Sequence, residues 1–188
     1  MMSIARHETD GPVAGPSGIR LPETRLSRVF DRIIILIGEG SSWIWTILMM
    51  MIVYQVTQRY VFGLGSIKLE EAQWHLYAIG FMLAIPLAEI RERHIRIDVL
   101  AEHWPQRRRL WIEMFGLVVF LLPFSIFAIW WSAPYVAHSW RLKEISAAPD
   151  GLPMVYFLKG FIVATFVLLA MVAISRLSRV VAALRQFR

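Results

Sequence analysis

Glu39, Glu113 and Lys159 are ionisable residues that fall inside long apolar runs, and His75 and His138 lie near the ends of others. A charge at the centre of a bilayer costs at least a few kcal/mol, so each such group needs a reason. One chemistry they could perform is passage of an ion or a proton across a membrane. The structural alternative is that charges near helix ends reach out to water, or pair with a neighbouring helix or a partner chain. Depth favours the structural alternative, because no acidic residue is central. Glu39 and Glu113 lie towards one end of their runs, whereas Lys159, Glu70 and Glu71 lie towards the opposite end. His75 and His138 could together ligate a haem b, which makes a haem-bearing redox anchor the alternative function. The plainer reading is two interfacial imidazoles beside tryptophans. His94 and His103 have no further ligands around them to build a metal site. The chain has no cysteine, which removes disulfides, thiolate metal sites and thiol catalysis. No nucleophile–base pair, phosphate loop or paired-carboxylate motif stands out. We therefore expect no catalytic residue, no metal and no cofactor.

The elements that hold these residues read as membrane helices. The chain is 57% hydrophobic and 18% charged, more apolar and less charged than a soluble domain, and the apolar residues are clumped. A helix needs roughly 20 mostly apolar residues to cross a bilayer, and four stretches qualify, at about 33–54, 72–89, 110–132 and 155–175. Pro86 should loosen or kink the end of the second. Residues 1–32 contain no apolar run of the kind that precedes signal cleavage, so the first span is expected to be retained.

Orientation follows from the basic residues. Fifteen of the 20 lysines and arginines lie before the first span, in the middle loop or after the last span. That asymmetry places both termini in the cytoplasm. It also assigns the net charge of +6 to topology and anionic lipid headgroups, with no nucleic acid partner expected. Trp74, Trp104, Trp111, Trp130, Trp131 and Trp140 sit near the predicted boundaries as an aromatic belt. Leu26, Val29, Phe30 and Ile33, and again Leu177, Val180, Val181 and Leu184, recur at helical spacing beside arginines. They read as short amphipathic interfacial helices or as extensions of the spans. The expected fold is an all-α integral membrane protein, with a disordered segment at 1–20 and a four-helix membrane domain over 21–188.

Four motifs in order carry a resemblance. They are Arg59-Tyr60-Val61-Phe62-Gly63 after the first span and Leu69-Glu70-Glu71-Ala72-Gln73-Trp74-His75-Leu76 opening the second. His94-Ile95-Arg96-Ile97-Asp98-Val99 follows in the middle loop, and Gly151-Leu152-Pro153 with Lys159 opens the fourth span. In order and spacing the set resembles the small membrane subunit (DctQ-like) of tripartite ATP-independent periplasmic (TRAP) transporters, from about Ile33 to Leu177. Together with Leu121-Leu122-Pro123-Phe124 and Ser139-Trp140 it looks like the mannitol/chloroaromatic-type branch.

The resemblance implies a non-catalytic subunit of the bacterial inner membrane. Its partners would be a large (DctM-like) membrane subunit, a periplasmic substrate-binding protein and membrane lipids, and its role would be in Na⁺-coupled uptake of an organic acid. It also makes Arg59, Tyr60, Glu70, Glu71, Trp74, His75, His94, Arg96, Asp98 and Lys159 candidates for subunit contacts or structural roles. Matched depth and opposite charge further lead us to expect an ion pair between Glu71 and Lys159.

Overall fold

The computed structural model describes residues 21–91 and 104–186, and the described residues are helical with no strand. The helices are α1 (Arg25–Ser41), α2 (Trp43–Val61), α3 (Ile67–Ile90), α4 (Gln106–Gly116), α5 (Leu122–Arg141) and α6 (Val155–Gln186). A π-helical turn, Leu117–Leu121, joins α4 to α5. The expectations for residues 1–20 and for His94, Arg96 and Asp98 fall outside the described residues.

Among the described residues, three helical stretches are long and apolar enough to cross a membrane: Arg25–Val61, Gln106–Arg141 and Val155–Gln186. The first is longer than the 33–54 expected from sequence. Thr24 starts it with a reciprocal cap, in which its hydroxyl accepts from Ser27 N at 3.1 Å and the Ser27 hydroxyl accepts from Thr24 N. Ser42 interrupts the rod between α1 and α2, but its helical dihedrals (φ −61°, ψ −27°) carry the chain onward. The Ser41 hydroxyl bonds back to Gly38 O at 2.7 Å, a local competition with the helix ladder that marks such interruptions. The Leu177–Leu184 pattern is the last part of α6 and not a separate surface helix.

The long helices lie in a row. α2 packs on α3, α3 on α6 and α6 on α5, and among the described residues no other pairing occurs between these four. At one end, α1 and α4 close over the row. Ser27, Asp31, Ile34 and Gly38 of α1 share one buried face, and Ile34 packs with Leu83, Leu168 and Val172. Gly38 is needed for this fit, because a Cβ there would lie 2.8 Å from Leu87. Leu110 and Leu117 pack with Leu21, Ala173, Val180 and Ala183.

Proline is accommodated without breaking these helices. α3 continues through the buried Pro86 to Ile90, so the expected loosening does not end it. Proline has no N–H for the carbonyl four residues back, here that of Met82. The Thr165 hydroxyl of α6 lies 3.3 Å from that oxygen and 2.7 Å from Phe161 O. In lipid, a neighbouring hydroxyl is one of the few groups able to cover a freed carbonyl. Thr165 thus also identifies α6 as the packing partner of α3. Pro123 follows a π-helical turn, in which Leu122 N bonds Leu117 O, and the Ser125 hydroxyl donates to Leu121 O at 2.7 Å.

Candidate functional site

The ionisable side chains of the helices gather into two layers. At the arginine-rich end, Arg176 of α6 is buried, with 7% of its side chain exposed, and is held between Glu89 of α3 at 2.7 Å and Glu113 of α4 at 2.8 Å. Beside it, Asp31 of α1 accepts from Ser175 Oγ at 2.6 Å and from the Arg179 guanidinium. Glu39 of α1 pairs with Arg91 at the end of α3 at 2.5 Å. These pairs tie α1, α3, α4 and α6 together. Burying an ion is tolerable only when its partners are close and well placed, and here α1 and α4 supply acids where α6 supplies bases.

The opposite layer is built on the loop between α5 and α6. Glu71, in the first turns of α3, accepts from the Ser146 hydroxyl and from Leu152 N at 2.6 Å, which anchors that loop from across the molecule. Gly151 permits the approach, since a Cβ there would lie 2.9 Å from the Glu71 carboxylate. Lys159 donates to Glu144 at 2.5 Å and lies 4.3 Å from the centre of the Tyr135 ring. Hydrogen bonds from Lys159 and then Ser139 hold the Glu144 carboxyl below its usual 4.5.

The expected Glu71–Lys159 pair is therefore not the one that forms. Both residues are at the predicted end, but the loop folds back between them. It brings Glu144 to Lys159 and presents Ser146 and a backbone amide to Glu71.

The other candidates are spread out. Arg59 and Tyr60 close α2 and are exposed, Tyr60 to 81%. Gly63 follows at φ 67°, which turns the chain so that Leu64 N reaches Gln58 O at 3.1 Å. Glu70 and Trp74 are exposed on α3. His75 Nδ1 lies 2.7 Å from Glu71 O, and its Nε2 is buried with no hydrogen-bond partner. α6 stands between α3, which carries His75, and α5, which carries His138. Among the described residues, no group of three or more histidine, cysteine, aspartate or glutamate side chains is placed to hold a metal ion.

Sequence reasoning missed Asp31, Ser175, Arg176 and Arg179 as a buried cluster, reading Ser175 as the end of the fourth span and the three charged residues as flanks of interfacial helices or span extensions. A signal existed. Ser27, Asp31, Ile34 and Gly38 recur at helical spacing as a stripe of small and polar residues, the composition of a close helix contact in a membrane.

Between the layers, the described helices carry no aspartate, glutamate, lysine or arginine; the ionisable side chains there are His75, one turn inside Glu71, and the phenols of Tyr54 and Tyr77. The separations agree with one another at 1.5 Å per residue. Glu39 to Arg59 is about 30 Å, Glu71 to Glu89 about 27 Å, and Lys159 to Arg176 about 26 Å. A bilayer's hydrocarbon core is about 30 Å thick. The molecule thus presents an apolar slab bounded by charge, and Glu39, Glu113 and Lys159 are each ion-paired at its edges. They do not form a relay across it.

No curated protein and no solved structure matches the chain. Residues 48–183, more than two thirds of its length, match the family model described as "Tripartite ATP-independent periplasmic transporters, DctQ component". That stretch includes Arg59–Gly63, Glu70–His75 and Lys159, and it extends through Arg176 and Arg179. The chain belongs to the DctQ family of tripartite ATP-independent periplasmic transporter components.

Proposed function

We propose that this chain is the non-catalytic small membrane subunit of a TRAP secondary transporter. It assists a large membrane subunit in the Na⁺-coupled uptake of an organic acid delivered by a periplasmic binding protein. In this reading it crosses the bacterial inner membrane four times, with α3 as the second crossing and the arginine-rich end, including both termini, in the cytoplasm. The positive-inside bias carries the orientation. The motif set favours the mannitol/chloroaromatic-type branch.

The observation behind the supporting role is the apolar slab. A solute or ion moving through this chain alone would need polar side chains or broken helices near the midplane, and the described helices place their charged groups at the two edges. Substrate handling then falls to the partners. Co-expression with a large TRAP subunit should yield a stable co-purifying pair. Liposomes holding this chain alone should show no uptake, and uptake should appear with both membrane subunits, the binding protein and a Na⁺ gradient. Uptake by this chain alone, or failure of the two membrane subunits to co-purify, would overturn the reading.

A further inference from the structure

A groove of about 490 Å³ runs along the last part of α6, where the start of α1 rests against it. Leu26 of α1 and Ile174, Leu177, Val181 and Ala182 of α6 make its walls. Thr24 and Ser178 give it a polar middle, and Arg185 closes its far end. The α6 residues recur at the spacing of one helix face. They extend about 17 Å from Ile174 to Arg185. Ile174 lies about 3 Å inside the buried Arg176 along the helix, and Ser178 about 3 Å outside it. The groove therefore opens at the edge of the apolar slab and leads outward to a guanidinium. Helix side chains lean toward the helix N-terminus, which for α6 is toward the bilayer, so Arg185 overhangs the groove.

The two hydroxyls have no proton to spare. Ser178 donates to Ser175 O at 2.7 Å. Thr24 Oγ1 accepts from Ser27 N at 3.1 Å and so donates to Ser178 Oγ at 2.7 Å. Both can still accept a hydrogen bond, but holding an anion falls to arginine. Arginine is in surplus at this end, where the described residues include ten arginines and five carboxylates. All five carboxylates are already ion-paired: Glu23 with Arg28, Asp31 with Arg179, Glu39 with Arg91, and Glu89 and Glu113 with Arg176. Arg185 carries no ion pair among the described residues, and neither does Arg25, which stands between the lining residues Thr24 and Leu26.

We propose that this groove binds one anionic phospholipid from the leaflet at the arginine-rich end. An acyl chain lies along Leu26, Leu177 and Val181, and the phosphate meets Arg185 with Arg25 nearby. A headgroup hydroxyl can donate to Thr24 or Ser178. Zwitterionic lipid fits the walls equally well but brings no net charge to answer the unpaired arginines. The site belongs to this chain alone, so its test is separate from that of the subunit reading.

Native mass spectrometry of the full chain in detergent, titrated with phosphatidylglycerol, phosphatidylcholine or inorganic phosphate, tests the site. One phosphatidylglycerol should bind about tenfold or more tightly than phosphatidylcholine, and phosphate should not displace it. Ala182→Phe fills the groove without changing charge, and Arg185→Gln removes the charge without changing the walls. Each should weaken that first binding about tenfold. Arg107→Gln makes the same charge change at the start of α4 and should alter it less than about threefold. Far-ultraviolet circular dichroism checks that each variant keeps the parent's helix content. Equal weakening by Arg185→Gln and Arg107→Gln would overturn the proposal, since a diffuse positive surface then accounts for the binding. Unchanged binding in Ala182→Phe would overturn it too, because the lipid then lies elsewhere. Displacement by inorganic phosphate would replace the lipid site with a free-anion site.

Discussion

Replacing Arg176 with glutamine is expected to destabilise the helix assembly by about 3–5 kcal/mol, the range for removing one partner of a buried ion pair. The guanidinium lies 2.7 Å from Glu89 and 2.8 Å from Glu113, with only 7% of the side chain exposed. With charge centres near 4 Å apart and an effective dielectric of about 20, each pair contributes roughly 4 kcal/mol, so roughly 8 kcal/mol of attraction disappears. Part of this is offset, because a glutamine need not be stripped of the water that a buried ion gives up, a cost of several kcal/mol. The variant also leaves Glu89 and Glu113 close together with their shared cation gone. The measurement is unfolding in mixed micelles titrated with sodium dodecyl sulfate, followed by far-ultraviolet circular dichroism. Adding Glu113→Gln to Arg176→Gln should recover part of the loss, since the substitution takes the guanidinium away from the Glu113 carboxylate, 15% of whose side chain is exposed. If Arg176→Gln alone costs under roughly 1 kcal/mol, the cluster is wet and behaves as a surface pair. If the double variant is no more stable than the single one, the buried Glu113 charge is not the cause.

Three further outcomes follow from the geometry. The Glu144 carboxyl is held below its usual 4.5 by Lys159 and Ser139, so the stability it lends the α5–α6 loop is complete above about pH 4.5 and is lost as pH falls through the lower folded value. Loop proteolysis should rise over that acidic window in the parent chain, and Glu144→Gln should show the raised rate at neutral pH with no such step. Thr165→Val should cost about 1 kcal/mol by uncovering Met82 O. The same change made in Pro86→Ala, where an amide N–H returns to that carbonyl, should cost measurably less, and equal costs in both backgrounds would show no coupling. Gly38→Ala should cost about 1–3 kcal/mol by overpacking, because its Cβ would meet Leu87 at 2.8 Å. Leu87→Ala should then restore part of the loss, which thermal unfolding in detergent can read.

The helices were legible from hydropathy, as were the charge asymmetry between their two ends and the ordered motifs of the family. These depend on composition along one element, which a sequence displays directly. The partners of the charged groups were less so. Lys159 and Glu71 share a depth, and depth alone pairs them. What separates them is the turn between α5 and α6, where Lys143, Asp150 and Met154 adopt positive φ and aim Glu144 back at Lys159. Backbone conformations that strained are set by contacts across the molecule and not by local preference. Tyr60 and Trp74, exposed to 81% and 70%, are not explained by anything inside this chain.

The single-file packing of α2, α3, α6 and α5 has a hydrodynamic consequence. At about 10 Å between neighbouring helix axes, the row measures roughly 40 Å along its length and one helix across. Such a plate encloses no lumen among the described helices, and apart from the end that α1 and α4 cover its broad sides face outward. In a fluid membrane it acts like a keel, because turning it about the membrane normal must push lipid aside along its whole length, whereas a round bundle of the same mass would turn in place. Under the subunit reading proposed above, a large membrane subunit bound to that plate would share its resistance to turning about the membrane normal.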